Sequence, residues 1–572
     1  MSFAPATPPS VVLCTLNARY IHASLGLRYL LANMGALRDA TVLREFTISR
    51  DPAQIVQALL GLLGPPLAGQ RQVIGFGVYI WNVTQTVAVL RLLRQQRPQL
   101  KFVLGGPEVS HEWEQQEIVG LADHVITGWG DVSFPRLCQA LLHGPQPLMK
   151  VIAGEQPALN TLALPYQEYS DADLAHRVLY VEASRGCPFK CAFCLSSLDK
   201  TGWAFDADRL LFELDTLFMR GARTFKFVDR TFNLKIDASV RILQFFLERL
   251  ERAGPGGLFV HFEVIPDHLP ERLRQMIAQF PAGVLQFEIG IQSFNPVVQQ
   301  AISRRQDNDR TEANLRWLVA HAQAHLHADL IFGLPGEDLP SFARGFDRLH
   351  ALGPHEIQLG VLKRLRGTPI GRLTASHAMV YDTLPPYTVR QTASVSAQQV
   401  EAFIRLARYW DLVANSGRFR RSLVLLLGTG GHGPVAQRAS ADLAPSPDSH
   451  STFAAFWDFS AWLWAQGGQT SGITPEELVD RIFDYLHGVC GLDAAVCREA
   501  LLLDYQHSGA RARPQSLRAV WPAGASRPVT PRRALAARQQ QHRALAADTG
   551  MDADRCVATE AGITRHSPST ST

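Results

Sequence analysis

The chain contains no run of about 18 uncharged apolar residues, so it offers no candidate membrane span. Its opening residues, Met1-Ser-Phe-Ala-Pro-Ala-Thr-Pro-Pro, lack the basic and apolar regions of a secretory signal. Net charge is also scarce. Fifty-six Lys and Arg stand against 52 Asp and Glu, and a balance of +4 does not imply a nucleic-acid partner. Cysteine is rare, with eight in 572 residues. A composition of 46% hydrophobic and 19% charged residues is that of an ordinary globular protein, and the length suits roughly two to four domains.

Three of the few cysteines stand together in Ser184-Arg-Gly-Cys187-Pro-Phe-Lys-Cys191-Ala-Phe-Cys194-Leu-Ser-Ser197. At random, a CxxxCxxC spacing would arise with a chance of roughly two in a thousand. Thiolates packed into one loop suit a soft metal centre. No fourth cysteine lies near. Three thiolates would hold a four-iron cluster with one iron left open for a substrate or cofactor. A zinc knuckle or three unrelated thiols is the alternative. Phe193 and the apolar strand before the loop favour the cluster.

Cys187, Cys191, Phe193 and Cys194 resemble the signature of radical S-adenosylmethionine (SAM) enzymes. That resemblance implies a 4Fe-4S cluster held by the three cysteines. It implies SAM on the open iron, cleaved reductively to a 5′-deoxyadenosyl radical. It further implies a small-molecule substrate and an electron donor such as flavodoxin or ferredoxin. Unpaired cysteines and an oxygen-sensitive cluster make the cytoplasm the expected location.

Residues 8–150 read as alternating strand and helix. Five short apolar runs, 11–16, 41–46, 73–79, 101–104 and 124–126, suit buried parallel strands of an α/β, doubly wound, Rossmann-like sheet. Glycines collect after the fourth and fifth runs, in Gly105-Gly106-Pro107-Glu108 and Gly128-Trp129-Gly130-Asp131. In such a sheet the ligand crevice lies at the carboxyl ends of the strands. Standing before a radical-enzyme core, this arrangement resembles the cobalamin-binding domain of cobalamin-dependent radical SAM enzymes. The resemblance implies cobalamin bound near Asn17, Tyr20, Ser24, Gly105, Gly106, Glu108, Gly128 and Gly130. The first loop offers His22, but with Tyr20 where the cobalt-ligand motif of many such domains has Asp, and Leu25 where it has Gly. Cobalamin is therefore expected without a protein nitrogen on cobalt.

Residues 151–176 read as a linker with little regular structure. Residues 177–370 carry six strand-and-helix repeats, with strands at 177–182, 224–230, 258–263, 286–293, 328–336 and 356–361, which suggests a partial (β/α)6 barrel. The family resemblance implies SAM contacts from Phe193, Asp229, Glu288, Gln292, Ser293, Asp329 and Leu334. Residues 371–504 carry aromatic and apolar residues at helical spacing, as a cap on the barrel or a lid over the substrate. Cys490 and Cys497 read as plain buried thiols. Residues 505–547 hold eight arginines and no acid, and disorder is expected over 505–572. The resulting expectation is methylation of an unactivated carbon. Oxidative cyclisation or rearrangement, and a cobalamin-binding regulator without catalysis, are the alternatives.

Overall fold

The computed structural model describes residues 8–66, 69–254, 257–428, 451–507 and 512–521. The first sheet is all parallel, with β1 (Val11–Asn17), β2 (Thr41–Thr47), β3 (Val73–Gly77), β4 (Lys101–Gly105), β5 (His124–Thr127) and β6 (Val151–Ala153) in the order β2-β1-β3-β4-β5-β6. Every residue of β1 is buried, because helices cover both faces of the sheet and two separate apolar cores flank it. The strand order reverses between β1 and β3, and a cavity lies at the carboxyl ends of β3, β4 and β5. β6 lies inside the stretch read as a linker. That stretch also forms a helix over Asp171–His176, with a reciprocal cap between Ser170 and Asp173.

The second sheet is built from β7 (Leu179–Val181), β10 (Thr224–Phe227), β11 (Phe259–Val264), β12 (Leu285–Gln292), β13 (His325–Phe332) and β14 (Glu356–Val361). The order is β14-β13-β12-β11-β10-β7, all parallel, the six-stranded sheet expected of a partial (β/α)6 barrel. Between β7 and β10, β8 (Ser184–Arg185) pairs antiparallel with β9 (Trp203–Ala204) and closes the base of the cysteine loop. Side chains alternate between the two faces of the sheet up to a register shift at the end of β12. One face carries Phe225, Phe227, Val260, Phe262, Phe287, Leu326 and Phe332, buried against the outer helices. The concave face carries polar side chains.

Beyond β14 a small hairpin, β15 (Val380–Tyr381) with β16 (Val389–Gln391), precedes the helices Ala397–Val413, Arg420–Gly428, Thr452–Gly467, Pro475–Phe483 and Ala494–His507. These helices pack on the outside of the half-barrel. Trp410 and Phe453 meet Phe346 of the helix Leu339–Ala351 edge to face. The Asn415 side chain accepts from the Ile357 N–H at 3.1 Å and donates to its carbonyl at 3.0 Å, capping the open edge of β14. Part of the stretch expected to be disordered is built. Leu517 is fully buried, and Asp480 accepts from the backbone of Gln515 and Ser516. The rest of the expected tail, 508–511 and 522–572, lies outside the described residues. Among the described residues no helix is long and apolar enough to cross a membrane.

Candidate active site

Two cavities open at the carboxyl ends of the two sheets. The first, about 310 Å³, is floored by Gly105, Gly106, Gly128 and Gly130, with Tyr29, Tyr79 and Phe134 around it. Gly106 has φ +107°, and a Cβ there would lie 2.5 Å from the Val78 carbonyl, so only glycine fits. A Cβ at Gly128 would meet nothing within 4 Å; a side chain there would stand in the cavity itself. A broad floor without side chains fits a large flat cofactor such as cobalamin.

Four residues expected at this cavity do other work. The loop after β1 is turned onto the second domain. Arg177 donates to the carbonyls of Tyr20 (2.8 Å) and His22 (2.7 Å), and the Val178 N–H donates to Ile21. Asn17 donates to the His22 carbonyl at 2.7 Å and to Glu45 at 2.9 Å. Ser24 caps the helix Leu25–Ala32, accepting from the Leu27 N–H. The Tyr20 side chain is exposed, with the Arg177 guanidinium over its ring. Glu108 is buried and accepts from Arg366 (2.8 Å) and the Tyr387 hydroxyl (2.7 Å), tying the β4 turn to the chain beyond β14. None of these four lines the first cavity.

The second cavity, about 260 Å³, is lined by Cys187, Cys191 and Cys194 together with Phe193, Glu288, Gln292 and Asp329. The cysteine loop is pinned by backbone bonds. Cys187 N–H donates to the Asp199 carbonyl, Ala192 N–H to that of Ile302, and Ile370 N–H to that of Ala192, each at 2.8 Å. Arg304, which the motifs did not single out, points Nη1 at the Cys191 sulfur at 3.8 Å and donates through Nη2 to the Gly290 carbonyl. Three thiols, a guanidinium beside one of them and the carboxylates of Glu288 and Asp329 line one cavity, a donor set whose chemistry suits a thiolate-held cluster with a cationic, amino-bearing cofactor. Gln292 adopts φ +70° where the pairing of β12 with β13 shifts register, and its buried Oε1 has no partner among the described residues. Strain of this kind gathers at functional sites.

Three expected residues sit away from this cavity. Asp229 is buried, accepting from the Ala183 N–H (2.9 Å) and the Ser184 hydroxyl (2.5 Å), and burial pushes its pKa up to about 7. It braces the strand that enters the cysteine loop. Ser293 is buried and donates to Glu337 at 2.6 Å. Leu334 is fully buried in an apolar cluster with Ala192, Val298 and Ile302. Among the described residues of 371–504, none lines either cavity.

The concave face of the second sheet supplies polar groups that motif reading missed. Register sets Tyr180, Lys226, His261, Gln286 and His325 in one row and Glu263, Glu288, His327 and Glu356 in the next. Glu288 Oε2 lies 3.2 Å from His261 Nε2 and 3.6 Å from Lys226 Nζ. Burial raises the Glu288 pKa, but the His261 hydrogen bond and the Lys226 charge outweigh it and hold the group below the usual carboxylate range. His327 Nε2 lies 3.2 Å from Asp329 Oδ1. Burial opposes its charge, yet Asp329 and Glu356 lift its pKa to about 9. The alternation Thr-Phe-Lys-Phe and His-Leu-His-Ala-Asp is the signal that could have found these residues.

Residues 181–347 match the family described as the radical SAM superfamily, and residues 11–138 the B12 binding domain. The chain is 24% identical over 330 residues to the cobalamin-dependent radical SAM methyltransferase TokK of Streptomyces tokunonensis, covering 51% of this chain and 47% of the relative. It is 24% identical over 321 residues to the 2-(S-pantetheinyl)-carbapenam-3-carboxylate methyltransferase of Streptantibioticus cattleyicolor, covering 50% of this chain and 45% of the relative. The matched stretch thus spans about half the length of each relative. In fold, the chain resembles the cobalamin-dependent S-adenosylmethionine radical enzyme OxsB, solved with aqua-cobalamin and S-adenosylmethionine bound. The TM-score is 0.55 at 13% identity, covering 89% of this chain and 82% of that one.

Proposed function

Because the chain belongs to the radical SAM superfamily and carries a B12 binding domain ahead of its radical SAM core, we propose that it places a methyl group on an unactivated carbon of a polar small molecule. The observation that carries this reading is the adjacency of the two cavities. Glu182 and Arg185 reach the first, and Cys187, two residues on, lines the second. When bound, the four-iron cluster with SAM supplies a 5′-deoxyadenosyl radical, and cobalamin supplies the methyl group.

The protein's own part is holding and orienting. Cys187, Cys191 and Cys194 hold the cluster, and Arg304 offsets thiolate charge at Cys191. Phe193, Glu288, Gln292 and Asp329 face the same space and hold SAM. Gly105, Gly106, Gly128 and Gly130 let cobalamin lie against the backbone. Lys226, His327 and Gln358, paired within the concave face, offer hydrogen bonds that orient a polar substrate. An electron donor such as flavodoxin or ferredoxin supplies reducing equivalents.

Reconstituted anaerobically with SAM and a reductant, the protein is expected to form 5′-deoxyadenosine. Replacing Cys187, Cys191 and Cys194 together with Ala should abolish both bound iron and that product. Metabolite profiling of a deletion strain should show loss of a compound one methyl group heavier than the compound that accumulates. Formation of 5′-deoxyadenosine alongside a product without an added methyl would replace methylation with cyclisation or rearrangement.

A further inference from the structure

Asp199 lines neither cavity yet is bonded towards both. Its Oδ2 accepts the Trp129 indole N–H at 2.7 Å. Its backbone carbonyl accepts the Cys187 N–H at 2.8 Å. Its Oδ1 accepts the Thr201 N–H at 3.1 Å and lies 2.8 Å from the Thr201 hydroxyl. Trp129 and the floor glycines Gly128 and Gly130 belong to one turn after β5.

The same turn sends a second side chain across. Asp131 accepts from Arg185 through two contacts, 2.9 and 3.2 Å, and the Arg185 guanidinium stacks over the Tyr29 and Trp129 rings. Between Arg185 and Cys187 stands Gly186, with φ +81°. A Cβ there would lie 2.5 Å from the Thr201 hydroxyl and 2.8 Å from Asp199 Oδ1. The connection therefore has little slack. A ligand resting on Gly128 and Gly130 would touch a turn that is bonded through Trp129 to Asp199, and Asp199 holds the amide of the first cysteine.

We propose that Asp199 is a positioning residue that couples the two cofactor sites, so that cobalamin binds more tightly once the cysteine loop carries its cluster. By thermodynamic reciprocity, cobalamin then steadies the loaded cysteine loop by the same factor. This rests on the cofactor assignment above. The carboxylate is the transmitting group, because the bond to Cys187 N–H comes from the backbone and survives a change of side chain.

The test is equilibrium dialysis of hydroxocobalamin against the full chain, anaerobically, with and without reconstituted cluster. Wild type should bind about fivefold or more tightly in the loaded form. Asp199→Ala should load iron normally and bring that ratio below about twofold. Asp199→Asn, which keeps an acceptor for Trp129, should restore most of it. A second readout is the electron paramagnetic resonance of the reduced cluster, expected to shift on adding cobalamin in wild type and not in Asp199→Ala. A wild-type ratio of one overturns the proposal, as does an Asp199→Ala ratio equal to that of wild type. Absence of cobalamin binding in both wild-type forms overturns instead the cofactor assignment beneath it.

Discussion

His22 shows how a side chain's partner decides what it is free to do. Its Nδ1 lies 2.7 Å from the Tyr180 hydroxyl, and its backbone bridges Val178 of the second domain. Burial, then the Lys226 charge, push its pKa down, which favours the neutral ring. It is absent from the lining of the glycine-floored cavity. We therefore expect the cob(II)alamin form to show no histidine nitrogen splitting in electron paramagnetic resonance, and His22→Ala to leave that spectrum unchanged. A splitting lost in the variant would make His22 a cobalt ligand. That the three cysteines share one cavity could be read from the chain because their spacing is local. The placement of Ser293 and Leu334 could not, because a motif does not say which way each residue points. Glu288, Gly290 and Gln292 share the concave face by alternation, while Ser293, just past the register shift, falls into the core.

At the scale of elements, most strands could be read from the chain. Buried parallel strands are continuous apolar runs, and half-buried ones alternate. β6 escaped because three residues, Val151-Ile-Ala153, sit among glycine and proline and complete only the edge of a sheet. The end of β12 carries an irregularity that the strand pattern does not show. Gln292 holds a left-handed backbone there, which costs a side-chain-bearing residue about 1–2 kcal/mol. The backbone and amide contributions can be separated by comparing two variants that both lack the amide. Gln292→Gly is expected to be more stable than Gln292→Ala by about 1 kcal/mol in urea unfolding, while both lose SAM binding. Equal stability would mean that the strain resides elsewhere.

At the scale of the molecule, the joint between the sheets is a buried ionic quartet that no local pattern announces, since its members come from positions 28, 45, 173 and 177. Arg28 Nη2 lies 3.0 Å from Glu45 and 2.9 Å from Asp173; Arg177 Nη1 lies 2.6 Å from Glu45 and 3.1 Å from Asp173. Burial pushes both carboxyls up, but the two arginines outweigh it and hold Glu45 and Asp173 below their ordinary range. For carboxyls depressed in this way, the stabilisation is fully present above the unfolded-state pKa of about 4 and is lost as pH falls through the folded-state value. Glu45→Gln keeps one oxygen for Asn17 and the Ser24 N–H but turns an amide N–H towards the two guanidinium groups, leaving two buried cations to share Asp173. The variant should lose about 3–5 kcal/mol at pH 7, read from the urea midpoint of the first unfolding transition. The gap to wild type should then narrow as pH falls below about 4, because wild type is there losing the same charge by protonation. A gap of constant size from pH 7 down to pH 3 would show that the loss is one of shape and packing, and that the charges at this joint do not hold the two sheets together.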